Sequence, residues 1–65
     1  MKVVKVSEII RRLEADGWYL KNHKGSHRQF IHPLKKEKTT VNGKPSDDTW
    51  GDLLKSIEKQ SGLTF

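Results

Sequence analysis

Sixty-five residues with no cysteine and a net charge of +5 make one thin-cored domain, because a chain this short buries only about 60% of the surface its unfolded form exposes. That excludes disulfides, thiolate metal sites and a deep catalytic cavity, and no apolar run approaches the roughly 18 residues of a membrane span. Met1-Lys-Val-Val-Lys5 does not read as a signal peptide, so a soluble, cytoplasmic single domain over residues 1–65 with no membrane partner is expected.

In chain order, residues 1–6 read as an N-terminal arm, with a short strand as the alternative. Ser7 is a candidate helix cap, and Glu8 suits the positive end of a helix dipole. Val6, Ile9, Ile10 and Leu13 repeat at helical spacing. Gly17 can end this helix, predicted over 8–16, in a left-handed turn that folds Trp18 back onto Leu13. Residues 18–22 alternate as a strand, Lys24-Gly25-Ser26 has turn chemistry, and His27 to His32 alternates again. With Phe30 pointing inward, Arg28 and His32 fall on the core side and His27, Gln29 and Ile31 on the other. Ile31 inward is the competing register. Pro33 ends that strand, and Lys35 to Lys38 reads as a charged turn. A short third strand is predicted over 38–41, followed by the Asn42-Gly43 turn signal. Asp47 or Asp48 can cap a second helix in which Trp50, Leu53, Leu54 and Ile57 form the apolar face and Gly62 the end. The fold class expected from this order is α+β: a three-stranded antiparallel sheet with two helices on one face and the other face open.

Charge is concentrated in the middle. From Lys21 to Lys44 there are seven basic residues and one acidic, a net of +6, while the rest of the chain carries −1. Such a segment attracts a polyanion, of which nucleic acid is the commonest; a solvated lysine-rich surface is the plainer explanation. The same segment holds all three histidines, His23, His27 and His32. A metal site requires imidazoles that converge, yet Gly25-Ser26 breaks any helix that would align His23 with His27, and no carboxylate lies in the cluster. A polar hairpin without chemistry is a second reading. The third is acid/base work at a phosphate: His27 supplies an imidazole, the side chain suited to proton transfer near neutral pH, Lys24 and Arg28 supply positive charge, and the Gly25-Ser26 main chain offers N–H donors.

Gly17-Trp18, Lys24-Gly25-Ser26-His27, Phe30 with His32-Pro33, a Thr-Val strand and a last helix ending Ser56-Ile57 and Lys59-Gln60-Ser61-Gly62-Leu63 resemble the HicA toxins of bacterial and archaeal toxin–antitoxin pairs, from about Val6 to Leu63. The resemblance implies a double-stranded-RNA-binding-domain-like α-β-β-β-α fold. It also implies a small ribonuclease that cleaves messenger RNA with no metal or other cofactor, neutralised by a HicB-type antitoxin. It assigns the catalytic role to His27. Single-stranded RNA would then lie on Lys24, Gly25, Ser26, Arg28, Lys35, Lys36, Lys38 and Lys44, with Tyr19 placed to stack on a base. Two features depart from the family pattern. Val41-Asn42-Gly43-Lys44-Pro45 stands where the family usually has Val-Pro followed closely by a histidine, and Glu58 stands where its second helix usually has an apolar residue. Two other classes remain: a non-catalytic RNA-binding module, and a protein-interaction domain whose basic face meets an acidic partner.

Overall fold

The computed structural model describes residues 1–65. Its elements are β1 (Val3–Lys5), α1 (Val6–Ala15), β2 (Tyr19–Lys24), β3 (His27–His32), β4 (Lys35–Asn42), β5 (Asp48–Trp50) and α2 (Gly51–Ser61). Strands β2, β3 and β4 form an antiparallel meander in that order, and β1 pairs with β5 as a separate two-stranded ribbon. The central layout is thus the expected helix, three strands and helix. Both helices bury their apolar stripes against one face of the meander: Val6, Ile9 and Leu13 of α1 and Leu54 and Ile57 of α2 join Trp18, Phe30 and Val41 in one core. Phe30 points inward, as the chosen register requires, and Ile31 is only partly covered.

The helix boundaries differ from the expected ones for physical reasons. Helix α1 begins at Val6, and Ser7 does not cap it; no side chain does. Its first N–H groups instead donate to main-chain carbonyls of a later loop, Val6 to Asp47 at 2.9 Å and Ser7 to Pro45 at 3.0 Å. A helix end needs acceptors of any kind, and here tertiary structure provides them. At the other end Gly17 adopts φ 103°. The Trp18 N–H then donates to the Leu13 carbonyl at 3.0 Å, turning the indole onto the helix as expected.

Residues 1–6, expected as an arm, include β1, which pairs with β5 through Val3–Trp50, Val4–Thr49 and Lys5–Asp48. Three-residue strands are too short to show alternation by themselves. This ribbon also explains Trp50, expected on the second helix's apolar face. Alternation along β5 buries Thr49 and turns Trp50 outward, so α2 starts only at Gly51. Leu53, also expected inside, is 46% exposed. The third strand is longer than the expected 38–41. The turn is Pro33-Leu34, and the expected charged turn at Lys35–Lys38 is the first half of β4.

Three ion pairs join distant parts of the chain, one of them Lys5 Nζ to Asp48 Oδ1 at 2.8 Å. Lys35 Nζ reaches the Asp16 carboxylate and the Ser61 carbonyl, each at 2.9 Å, and lies over the Trp18 ring. Glu58 accepts from Lys2 Nζ at 2.7 Å and from the Phe65 N–H at 2.9 Å, so it ties both chain ends to α2. The Lys35 hydrogen bond holds the Asp16 carboxyl below its ordinary value of 3.8, and the Lys2 and Phe65 hydrogen bonds hold Glu58 below 4.5. A lowered folded-state value gives stability that is in place above the unfolded-state value and lost as pH falls through the folded one.

Ile9→Ala, at a fully buried site, lowers stability by about 2–5 kcal/mol, read as a drop in urea midpoint at unchanged m. Thermal midpoints fall as the buffer is taken below about pH 4, and Asp16→Asn, which lowers the neutral-pH midpoint, makes that acid decline shallower. An Asp16→Asn protein with an unaltered acid decline contradicts the role given to the Asp16–Lys35 tie.

Candidate functional site

Gly25 and Ser26 form a two-residue loop between the register partners Lys24 and His27. Gly25 has φ 59° and Ser26 does not enter the left-handed region, the pattern of a type II′ turn with glycine at its first central position. A side chain at Gly25 would meet nothing within 4 Å, so its backbone stands open to an approaching group. Neither the Gly25 nor the Ser26 N–H has an acceptor within the protein, while the Ser26 carbonyl is taken by the Gly43 N–H at 3.0 Å. That bond brings Gly43 and the following Lys44 beside the turn.

Directly opposed residues of an antiparallel pair share a face. The helix-free face of the meander therefore carries Tyr19, Asn22 and Lys24 from β2, His27, Gln29 and Ile31 from β3, and Thr40 and Asn42 from β4. At one end His27 stands exposed between Lys24 and Asn42, its partners on the two neighbouring strands. Tyr19 is 52% exposed beside Ile31 at the far end. His27 to His32 spans five strand steps, roughly 17 Å. Lys36, on β4 next to the residue paired with His32, therefore belongs to the end away from His27, and Lys38 lies between.

The expected cations divide into two groups. Lys24, Lys36, Lys38 and Lys44 are exposed and make no ion pair. Lys35 is spent on Asp16, Ser61 and Trp18. Arg28 points to the core side, where its Nη1 donates to the Gly43 carbonyl at 2.7 Å and so holds the end of β4 against the hairpin. Both are structural ties. The largest depression, about 430 Å³, is lined by Lys35, Lys36, Lys59 and Gln60 among others and does not include His27.

The histidines do not converge. His23 is an exposed residue of β2 opposite Arg28. The His32 side chain is 8% exposed. Its Nδ1 accepts the Leu34 N–H at 3.0 Å, which leaves the ring proton on Nε2, 2.8 Å from the Asp16 carbonyl it donates to. A Cβ on Gly17 would sit 2.9 Å from that Nε2, so Gly17 is required by the close approach as well as by its φ. Of the three, only His27 stands at the turn with free N–H donors.

One residue of this site escaped the sequence reading. Asn42 figured there only as part of a turn signal, yet it faces His27 across the β3–β4 ladder. A Pro33-Leu34 loop without irregularity would have put Thr40 opposite His27. The register shift between Phe30 and His32 moves the pairing by two residues, and no local pattern announces such a shift.

The assignment of the cations separates under mutation. Lys35→Gln lowers the thermal unfolding midpoint, whereas Lys36→Gln and Lys38→Gln leave it within about a degree, as surface changes away from packed groups do. Equal losses for all three contradict the division.

A model of the family described as HicA toxin of bacterial toxin–antitoxin matches residues 6–63. No curated protein matches the chain.

Proposed function

From the chain's membership of the HicA toxin family of bacterial toxin–antitoxin systems, we propose that it is a metal-independent endoribonuclease of messenger RNA whose proton-transfer group is His27. The observation that carries this reading is the turn itself. An exposed imidazole stands beside Lys24 at a loop whose Gly25 and Ser26 N–H groups have no internal acceptor. Those donors, with Lys24 and Lys44, are the complement of a phosphate.

Cleavage then proceeds within the RNA strand. The ribose 2′-hydroxyl loses its proton, its oxygen bonds to the adjacent phosphorus, and the bond from phosphorus to the 5′ oxygen of the next nucleotide breaks. The 5′ oxygen takes up a proton, leaving a 2′,3′-cyclic phosphate and a 5′-hydroxyl. His27 handles a proton in this sequence, and the turn N–H groups with the lysines stabilise charge on the phosphorane. Tyr19 and Ile31 offer a stacking surface for a base further along the face. DNA, lacking the 2′-hydroxyl, is not a substrate.

A toxin of this family has an antitoxin partner. We propose a HicB-type protein whose acidic surface covers the hairpin and shields His27. Residues 23–32 then exchange amide hydrogens more slowly in the complex than alone; unchanged exchange there, with protection confined to α1, contradicts direct occlusion.

His27→Ala abolishes RNA cleavage measured in EDTA while the circular dichroism spectrum is retained, since the ring is exposed. Full cleavage by the folded variant removes the assignment. RNA affinity falls with salt by a log–log slope of roughly −0.7 per phosphate neutralised on a single strand. Lys24, Lys36, Lys38 and Lys44 changed together to Gln flatten that slope. Retained affinity with no cleavage by the wild-type protein points instead to a non-catalytic RNA-binding module.

A further inference from the structure

The last residue of β4 carries an unused acceptor. The Asn42 side-chain oxygen Oδ1 is closed off from solvent and accepts no hydrogen bond. Buried acceptors without a donor are uncommon in folded proteins, and each calls for a physical reason. Two other buried polar atoms lack partners, Trp18 Nε1 and Thr39 Oγ1, but both residues are buried on the side covered by the helices. Asn42 is directly opposite His27 on the helix-free face, where Cβ atoms of such a pair lie about 4.5–5.5 Å apart.

A neutral imidazole has one N–H and one lone pair, and the partner of its N–H decides which nitrogen is which. His32 shows this in the same strand, with Leu34 and the Asp16 carbonyl fixing its tautomer. The His27 ring makes no such hydrogen bond within the protein. The charged group opposite it, Lys24 on β2, is a donor only, and β4 places the neutral Asn42 at its other side. We propose that Asn42 is the positioning residue of His27, its Oδ1 accepting one imidazole N–H so that the other ring nitrogen presents its lone pair to the substrate.

This inference rests on the reading of His27 as the proton-transfer group and adds a direction to it. A ring held by an acceptor at one nitrogen is a base at the other. His27 therefore takes the proton of the 2′-hydroxyl as the 2′ oxygen bonds to phosphorus, and the resulting imidazolium can return it to the departing 5′ oxygen. The neutral amide orients the ring without adding the negative charge that a carboxylate would place there.

The test is nitrogen NMR of the His27 ring combined with cleavage kinetics on Asn42→Ala and Asn42→Asp, both checked for fold by circular dichroism. In the wild type one neutral tautomer dominates. Asn42→Ala gives mixed tautomers and lowers kcat by roughly 10²-fold, the scale of a mis-set catalytic group, with KM little changed. Asn42→Asp restores the single tautomer and moves the acidic limb of the pH–rate profile upward, since a carboxylate favours the charged ring and the base must be uncharged to act. An unchanged tautomer and unchanged kcat in Asn42→Ala, with His27→Ala inactive, overturn the positioning role and leave the function standing. A His27→Ala protein that cuts at the wild-type rate overturns both.

Discussion

The burial of Phe30 governs what the rest of the molecule can do. Side chains alternate along a strand, so one inward anchor fixes the side of every neighbour. Phe30 in the core sends Arg28 and His32 toward the helices and His27, Gln29 and Ile31 to the uncovered face. With Ile31 inside instead, His27 would point under the helices and Arg28 into solvent. The chemistry of the turn is thus decided three residues away by an apolar contact, because a ring the size of phenylalanine gains more from burial than the isoleucine beside it.

That parity gives the three histidines unlike roles. His32 is walled in by Trp18, at 5.3 Å between ring centroids, and by hydrogen bonds at both nitrogens. It ties the α1–β2 turn to the β3–β4 turn. The basic residues are sorted in the same manner. Lys2, Lys5 and Lys35 join parts of the chain that lie far apart in sequence, and Arg28 secures the end of β4. Several lysines have no acidic partner, among them Lys24 and Lys44 near the turn, Lys38 further along and Lys36 toward the other end; under the proposed function their field is what would draw an RNA strand across the open face. Edge strand β2 is exposed throughout. Its irregularity at Lys21 and its lysines are features that disfavour edge-to-edge pairing.

Much of this was legible in the sequence where a local pattern carried it. The helical repeat of Val6, Ile9 and Leu13, the alternation about Phe30, the Gly17 and Gly62 helix ends and the Gly25-Ser26 turn are each set by neighbours within a few residues. What escaped depends on contacts between distant segments. Trp50 and Leu53 fit a helical face on paper, but the pairing of β1 with β5 holds Trp50 in extended backbone and delays the helix. Lys35 and Arg28 look like any other basic residues until Asp16, Ser61 and Gly43 are brought to them. Asn42 reaches His27 only through a two-residue slip in the β3–β4 ladder.

The account turns on RNA lying over the turn and the helix-free face. The most direct measurement is amide NMR of the labelled protein titrated with a short RNA in which every 2′-hydroxyl is methylated, so that it binds but cannot be cut. The account predicts the largest shifts at Lys24 to His27 and at Gly43 and Lys44, with smaller ones at Tyr19 and Ile31. Shifts confined to the outer faces of α1 and α2, with the turn unaffected, would contradict it.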